Sequence, residues 1–147
     1  MTDRFERFER FASVISAITR HLHRIMSEEM EKYGLRGPFA VYLMALHRNP
    51  QGVTAARLCD ICEKNKAAVS RALAELEELK LIERENQGYR AKILLTEEGK
   101  KAADYVCERA ANAVDMAGGS LSDQERIVFY AALEQISNNL KVLGKKQ

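Results

Sequence analysis

The helical hydrophobic period of this sequence is interrupted once. Over most of the chain apolar residues recur every three or four positions, the spacing of a helix with one buried face. Between Leu81 and Leu95 that spacing gives way to short extended runs. Leu81-Ile82-Glu83-Arg84-Glu85 and Tyr89-Arg90-Ala91-Lys92-Ile93-Leu94-Leu95 flank Asn86-Gln87-Gly88, a β-hairpin signal. A lone hairpin cannot bury a face by itself, so the helices must pack around it.

Upstream, Phe5, Phe8, Ala12, Ile15, Leu22, Ile25, Met26, Met30 and Tyr33 predict one long amphipathic helix ending before Gly34. Gly37-Pro38 opens a second helix, with proline at a tolerated first-turn position, and Asn49-Pro50-Gln51-Gly52 closes it. Thr54 caps a third, short helix reaching about Cys62. Asn65 caps a fourth over about Lys66 to Leu79, with Val69, Leu73, Leu76 and Leu79 as its apolar positions. After the hairpin, Thr96 caps a fifth helix that reaches about Ala117, where Gly118-Gly119 breaks the chain. Ser122-Asp123-Gln124-Glu125 is a capping box opening a sixth helix that carries Ile127, Val128, Ala131, Leu133, Ile136, Leu140 and Leu143. The predicted order is α-α-α-α-β-β-α-α, a mainly α chain.

With 147 residues, 46% of them hydrophobic, the chain can bury a core, and no run approaches the roughly 20 apolar residues of a membrane span. The amino-terminal MTDRFERFERF is charged throughout and has no apolar signal core, and three cysteines form no disulfide framework. A cytoplasmic protein with reduced thiols is expected. The net charge of +2 does not by itself argue for a nucleic-acid partner. The placement of the charges does.

Two short helices joined by a tight turn and followed by a hairpin describe a winged helix-turn-helix, in which the fourth helix enters the major groove. A helix amino terminus favours acids, as the fifth helix has in Glu97 and Glu98 and the sixth in Asp123 and Glu125. The fourth instead has Lys64 and Lys66 around its cap and no acid before Glu75, which suits an approaching phosphate. With Val69, Leu73 and Leu76 inward, Ala67, Ser70, Arg71 and Ala74 point outward. Small residues around one arginine permit close approach to base edges. Arg84, Arg90 and Lys92 lie on the hairpin, where Arg90 follows the turn and suits a phosphate or minor-groove contact. An ordinary solvated helix and hairpin are the plainer alternative.

The segment KNKAAVSRALAELEELKLIERENQGYRAKILLTEEGKKAA resembles the multiple-antibiotic-resistance regulator (MarR) family of bacterial winged-helix proteins. Val69-Ser70-Arg71-Ala72-Leu73, the Leu76…Leu81-Ile82-Glu83-Arg84 run and Leu95-Thr96-Glu97-Glu98-Gly99 carry the likeness. The resemblance implies a two-fold dimer in which the first, fifth and sixth helices of two chains interlock. It implies residues 1–34 and 97–147 as the helical dimerisation region and 35–96 as the DNA-binding region. Asn65, Lys66, Ala67, Ser70 and Arg71 would face the major groove, with Thr54 and Ala55 near the DNA backbone. The wing departs from the family pattern: members often carry an Asp-x-Arg tip on a longer hairpin, where this chain has Asn86-Gln87-Gly88-Tyr89-Arg90.

The residues themselves also favour a homodimer. Phe5, Phe8 and Phe11, and the Ile136-Leu140-Leu143 stripe, are too apolar to remain bare, although they could fold back within one chain. A dimer would set two recognition helices about 34–36 Å apart on a pseudo-palindromic operator. The expected function is a sequence-specific transcription regulator, a repressor responsive to a ligand or to oxidation. The alternatives are a winged-helix protein–protein interaction module and a thiol redox protein.

Cys59 and Cys62 form a CxxC whose sulfurs share one side of a helix; packing, thiol sensing and metal binding are all compatible with it. His21, Tyr42 and His47 are candidates for a pocket, where the family resemblance implies small anionic or aromatic effectors. No cofactor or metal is expected. Without a phosphate loop or nucleophile–base set, an enzyme is not expected either.

Overall fold

Local capping chemistry sets most of the helix boundaries. Asp3 Oδ1 accepts from Phe5 N, Thr54 Oγ1 from Arg57 N and Asn65 Oδ1 from Ala68 N, at 3.3, 3.2 and 2.8 Å. Each bond satisfies an amide that the first helical turn leaves without a carbonyl. The computed structural model describes residues 3–35, 39–86, 88 and 90–145. Its elements are α1 (Arg4–Glu31), α2 (Ala40–His47), α3 (Ala55–Cys62), α4 (Lys66–Glu78), β1 (Ile82–Arg84), β2 (Ile93–Leu95), α5 (Glu97–Ala117) and α6 (Asp123–Gly144). The winged-helix order expected from the sequence is therefore the observed one. Gly37-Pro38, expected to open α2, lie outside the described residues, as do Gln87 and Tyr89 of the hairpin tip.

The chain divides into two compact units near Ala111. In the first, Leu43 and Leu46 of α2, Leu58 of α3, Val69, Leu73 and Leu76 of α4, Ile93 of β2 and Val106 of α5 are completely enclosed. They form one core beneath the helix-turn-helix, to which α1 adds Met26 and Met30 from its last turns. Burying each such side chain is worth about 1.5–3 kcal/mol, so these contacts, rather than the short helices' own propensities, hold α3 and α4 in place. Arg109 of α5 reaches Glu28 and Glu29 of α1 at 3.8 and 3.6 Å, and Lys32 holds the buried Glu29 at 2.8 Å.

The wing is shorter than its residue pattern suggests. β1 and β2 pair antiparallel over three residues each, Ile82 with Leu95, Glu83 with Leu94 and Arg84 with Ile93. The second strand begins at Ile93; before it Arg90 lies in a turn and Ala91 N donates to Gly88 O at 3.2 Å. Val53 extends the ladder on the other side of β2, exchanging two backbone bonds with Ile93. Leu79, expected on the inward face of α4, is 42% exposed, and Leu81 fills the core at 3%. Lys80 between them takes a left-handed φ of 61°, which turns the chain out of the helix and points Leu81 inward.

That corner is tied to α5. Thr96 Oγ1 donates to Lys80 O at 2.6 Å and accepts from Gly99 N at 3.0 Å, while Thr96 N donates to Leu81 O at 3.0 Å. The first turn of α5 passes so near that a β-carbon on Gly99 would lie 1.8 Å from Leu81 O. Only glycine fits.

In the second unit, α6 begins at the anticipated capping box: Ser122 Oγ accepts from Glu125 N at 3.2 Å, and Glu125 accepts from Ser122 N at 2.7 Å. Its 22 residues bury nothing. No helix among the described residues is long and apolar enough to cross a membrane.

Candidate nucleic-acid interface

The turn between α3 and α4 hangs on one carbonyl. Glu63 ends α3 in the left-handed conformation, φ 52° and ψ 46°, and its amide donates to Cys59 O. Lys64 N donates to the same oxygen at 3.1 Å. Asn65 then returns to extended backbone and caps α4. Val69, Ala72, Leu73 and Leu76 of α4 face the core, which leaves Lys66, Ala67, Ser70, Arg71 and Ala74 in solvent. The outward face thus carries the residues that the helical period assigns to it. The first turn of α4 has no acid, but neither have those of α2 and α3. The contrast with α5 and α6 therefore does not single α4 out, and its exposed basic and small side chains are the stronger sign.

The wing meets α4 through Arg84, whose Nε donates to Glu77 Oε2 at 3.1 Å. Both side chains are substantially exposed, so the pair contributes at most about 1 kcal/mol, yet it fixes the direction of the guanidinium. A cleft of about 370 Å³ opens there, lined by Ala55, Ala56 and Cys59 of α3, Lys66, Val69 and Ser70 of α4, and Arg84 and Gly88 of the wing. Three of the expected DNA-contacting residues, Lys66, Ser70 and Arg84, are thus gathered around one opening, with positive charge from two directions. Arg71 is exposed farther along the same helix. Arg90 and Lys92 are exposed in the loop beyond β1 and do not line this cleft. Lys92 joins the hairpin through its backbone, where its carbonyl accepts from Glu85 N at 2.9 Å.

Thr54 and Asn65 have a local task as well, since each commits a side-chain oxygen to a helix cap. Glu77, Ala56 and the Val53 bridge carry no repeating signal in the sequence. A seven-residue separation from Glu77 to Arg84 becomes a contact only because Lys80 reverses the chain between them.

Behind this surface, Tyr42 of α2 is almost fully buried. Burial raises its hydroxyl pKa above the ordinary tyrosine value; nearby Cys62 and Cys59 add to the rise, and Arg71 opposes it. Burial likewise pushes the Cys62 thiol up, against the pull of Arg48 and Lys64. The Cys62 sulfur lies 3.8 Å from Val41 O. His21 and His47, the other candidate pocket residues, engage different neighbours: His21 Nδ1 is 3.3 Å from Arg24 Nη2, and His47 Nδ1 is 3.4 Å from Asp104. Among the described residues, no group of three histidine, cysteine or acidic side chains could hold a metal ion.

Residues 33–90 match the model of the MarR family. A MarR transcriptional regulator from Methanosarcina mazei Go1 superposes with a TM-score of 0.81 at 24% identity, covering 97% of this chain and 94% of that one. A structure described as a MarR-family transcriptional regulator from Listeria monocytogenes, complexed with 26mer DNA, has a TM-score of 0.77 at 23% identity, covering 88% and 87%. A MarR-family transcriptional regulator from Silicibacter pomeroyi gives 0.72 at 22% identity, covering 86% of each chain. No curated protein matches in sequence.

Proposed function

We propose that this chain is a MarR-type regulator that binds DNA in a sequence-specific manner; the match of residues 33–90 to the MarR family model and the likeness in fold to a MarR transcriptional regulator over nearly the whole chain support this reading. The observation that carries this reading is the exposed face of α4. There Lys66 and Arg71 flank the small residues Ala67 and Ser70, and Arg84 stands beside them across the cleft. Such a face lets a helix approach base edges while its cations meet phosphates. Asn65, Lys64 and Thr54 lie at the turn and helix starts where backbone contacts fall, and Arg90 and Lys92 reach DNA from the wing.

The active form is a homodimer. Phe5, Phe8 and Val14 of α1 are at least half exposed, and α6 bares Ile127, Val128, Leu140 and Leu143. Apolar surface of this extent on a single chain marks an association face. Residues 1–34 and 97–147 supply that face, and two copies would read a pseudo-palindrome with half-sites about one helical turn apart. In a cytoplasmic setting the dimer acts as a repressor. A small anionic or aromatic effector, or oxidation, alters its hold on DNA, with His21, Tyr42 and His47 as candidate effector contacts.

The test is a salt-titrated binding measurement on duplexes selected from a random pool. One short palindrome should be bound with a Kd of about 10 nM or tighter, and log K should fall steeply with log salt. Equal affinity for all duplexes, or none at low salt under reducing conditions, refutes the reading.

A further inference from the structure

Arg84 belongs to the wing but is held by the recognition helix. On β1, Ile82 is buried and Arg84, two residues on, lies on the same side of the strand, whereas Glu83 and Glu85 alternate to the other side in solvent. The guanidinium therefore projects toward α4, where it lines the cleft with Lys66 and Ser70. Its inner nitrogen, Nε, donates to Glu77 Oε2 at 3.1 Å. A guanidinium carries five N–H donors in one rigid plane, so with Nε committed the donors on its opposite edge point away from that carboxylate. The Arg84 side chain is 36% exposed, which leaves that edge accessible. An acid beside a cation that meets DNA opposes binding by its charge, so Glu77 calls for an account.

We propose that Glu77 is a positioning residue for DNA recognition: it grips Arg84 by Nε so that the far edge of the guanidinium meets a backbone phosphate. The proposal rests on the DNA-binding reading and gives a task to an acid that has none in it. Arg84 stands between α4 and the hairpin, so the phosphates it can reach are those on the ridge between the groove entered by α4 and the groove under the wing. A phosphate contact specifies no base. It fixes the register of the recognition helix, on which the base contacts depend.

Glu77 then acts in two directions. An arginine free of it samples many rotamers and loses them on meeting the phosphate, whereas one already held loses few. Its charge meanwhile repels the DNA backbone whatever the sequence. On a duplex bound without fixed register only the repulsion counts, and removing Glu77 strengthens the complex or leaves it unchanged. On the preferred duplex the lost orientation outweighs the lost repulsion. Glu77 thus lowers general affinity and raises selectivity. Glutamine retains an oxygen that accepts from Nε, so it keeps the aim without the charge.

The test compares a duplex selected by the wild-type chain from a random pool with an unrelated duplex of equal length. On the selected duplex Glu77→Ala is expected to weaken binding about fivefold, the upper range for a pair this exposed, with no loss on the unrelated one. Glu77→Gln should stay within about twofold of the wild type on the selected duplex. In an Arg84→Ala background, Glu77→Ala should no longer weaken the selected complex. Salt separates aim from contact: Arg84→Ala should flatten the slope of log K against log salt by about one unit, whereas Glu77→Ala keeps the cation and the slope. Amide exchange of the free protein over residues 82–84 and 93–95 should be the same in Glu77→Ala as in the wild type. Equal or tighter binding of the selected duplex by Glu77→Ala overturns the proposal, as does a loss that persists without Arg84, a glutamine variant as impaired as the alanine one, or an unaltered slope in Arg84→Ala. Faster exchange in the two strands overturns it too, because the pair would then be a brace for the wing. Any of these, in a chain that selects its duplex, leaves the regulator reading intact; a chain that selects no duplex refutes both.

Discussion

Replacing Gly99 with alanine probes the join between the corner that follows α4 and the first turn of α5. The added β-carbon would sit 1.8 Å from Leu81 O and 2.8 Å from Leu81 C, both backbone atoms, with the Leu95 side chain at 3.2 Å. Relief requires the two segments to part by more than about 1 Å, which a close-packed interior resists. The Leu81 carbonyl accepts from Thr96 N, so parting the segments stretches that bond as well. Overpacking costs about 1–3 kcal/mol and a weakened buried hydrogen bond a similar amount. Against this, alanine gains at most about 1 kcal/mol over glycine in helix propensity, less in a first turn. The net expectation is a loss of about 2–4 kcal/mol, or a Tm lower by about 4–16 °C for a chain of this size. Circular dichroism melts at one fixed protein concentration, which keeps any association constant, will read it. Gly118→Ala is the control, since its nearest contact would be an ordinary 3.4 Å. A Gly99→Ala protein that melts within about 2 °C of the wild type while Gly118→Ala does the same would refute the close crossing.

Three further outcomes are expected. Arg71→Ala should lose about 1–3 kcal/mol on the preferred duplex and discriminate less at particular base pairs, whereas Lys66→Ala should weaken all duplexes alike and flatten the salt slope by about one unit; anisotropy over a panel of single-base variants separates the two. Leu140→Glu places a charge on an exposed apolar position of α6 and should raise the dimer dissociation constant by about a hundredfold or more, read by sedimentation; an unchanged constant would exclude this part of α6 from the association face. Stability should also fall in alkali. Cys62 and Cys107, ordinarily near 9.0, and Tyr33 and Tyr42, ordinarily near 10.0, are all raised, with burial the largest cause. The unfolded chain then loses these protons first, so stability drops as pH rises from about 9 through the folded values and is unaffected by these groups below. Tyr42→Phe should flatten the decline in Tm between pH 9 and about 11; an identical slope would remove Tyr42 from the account.

What the sequence discloses and what it conceals divide along a physical line. Capping is local chemistry: Thr54, Asn65 and the Ser122–Glu125 box each close a bond within three residues, and each marks its helix start correctly. The outward set Ala67, Ser70, Arg71 and Ala74 follows from the helical period, because the core needs Val69, Leu73 and Leu76. The hairpin's length does not follow. Tyr89 to Leu95 has strand-forming residues, but a two-stranded ribbon ends where cross-strand bonds end, and Ala91 bonds locally to Gly88 instead. The choice of Leu81 over Leu79 turns on the left-handed Lys80, a tertiary decision that periodicity cannot register. The cleft unites residues 55 to 88 from three elements, and the Glu77–Arg84 pair that steadies one wall spans a chain reversal.

The two ends of α4 are held by unlike devices, and this difference decides how a signal can act on it. At the carboxyl end, Leu81 N returns to Leu76 O at 2.9 Å, Thr96 bonds to both Lys80 and Leu81, and Gly99 permits backbone contact with α5. At the amino end, the Asn65 cap follows a turn of two residues suspended from the Cys59 carbonyl. A force entering through α5 must therefore carry the carboxyl end of α4 and the base of the wing with it as a body. A force entering through α3 can shift Asn65 and Lys66 while the carboxyl end stays anchored. Amide exchange distinguishes them: an α3 signal loosens residues 63–68 alone, whereas an α5 signal that moves the joined elements leaves those amides at their resting protection.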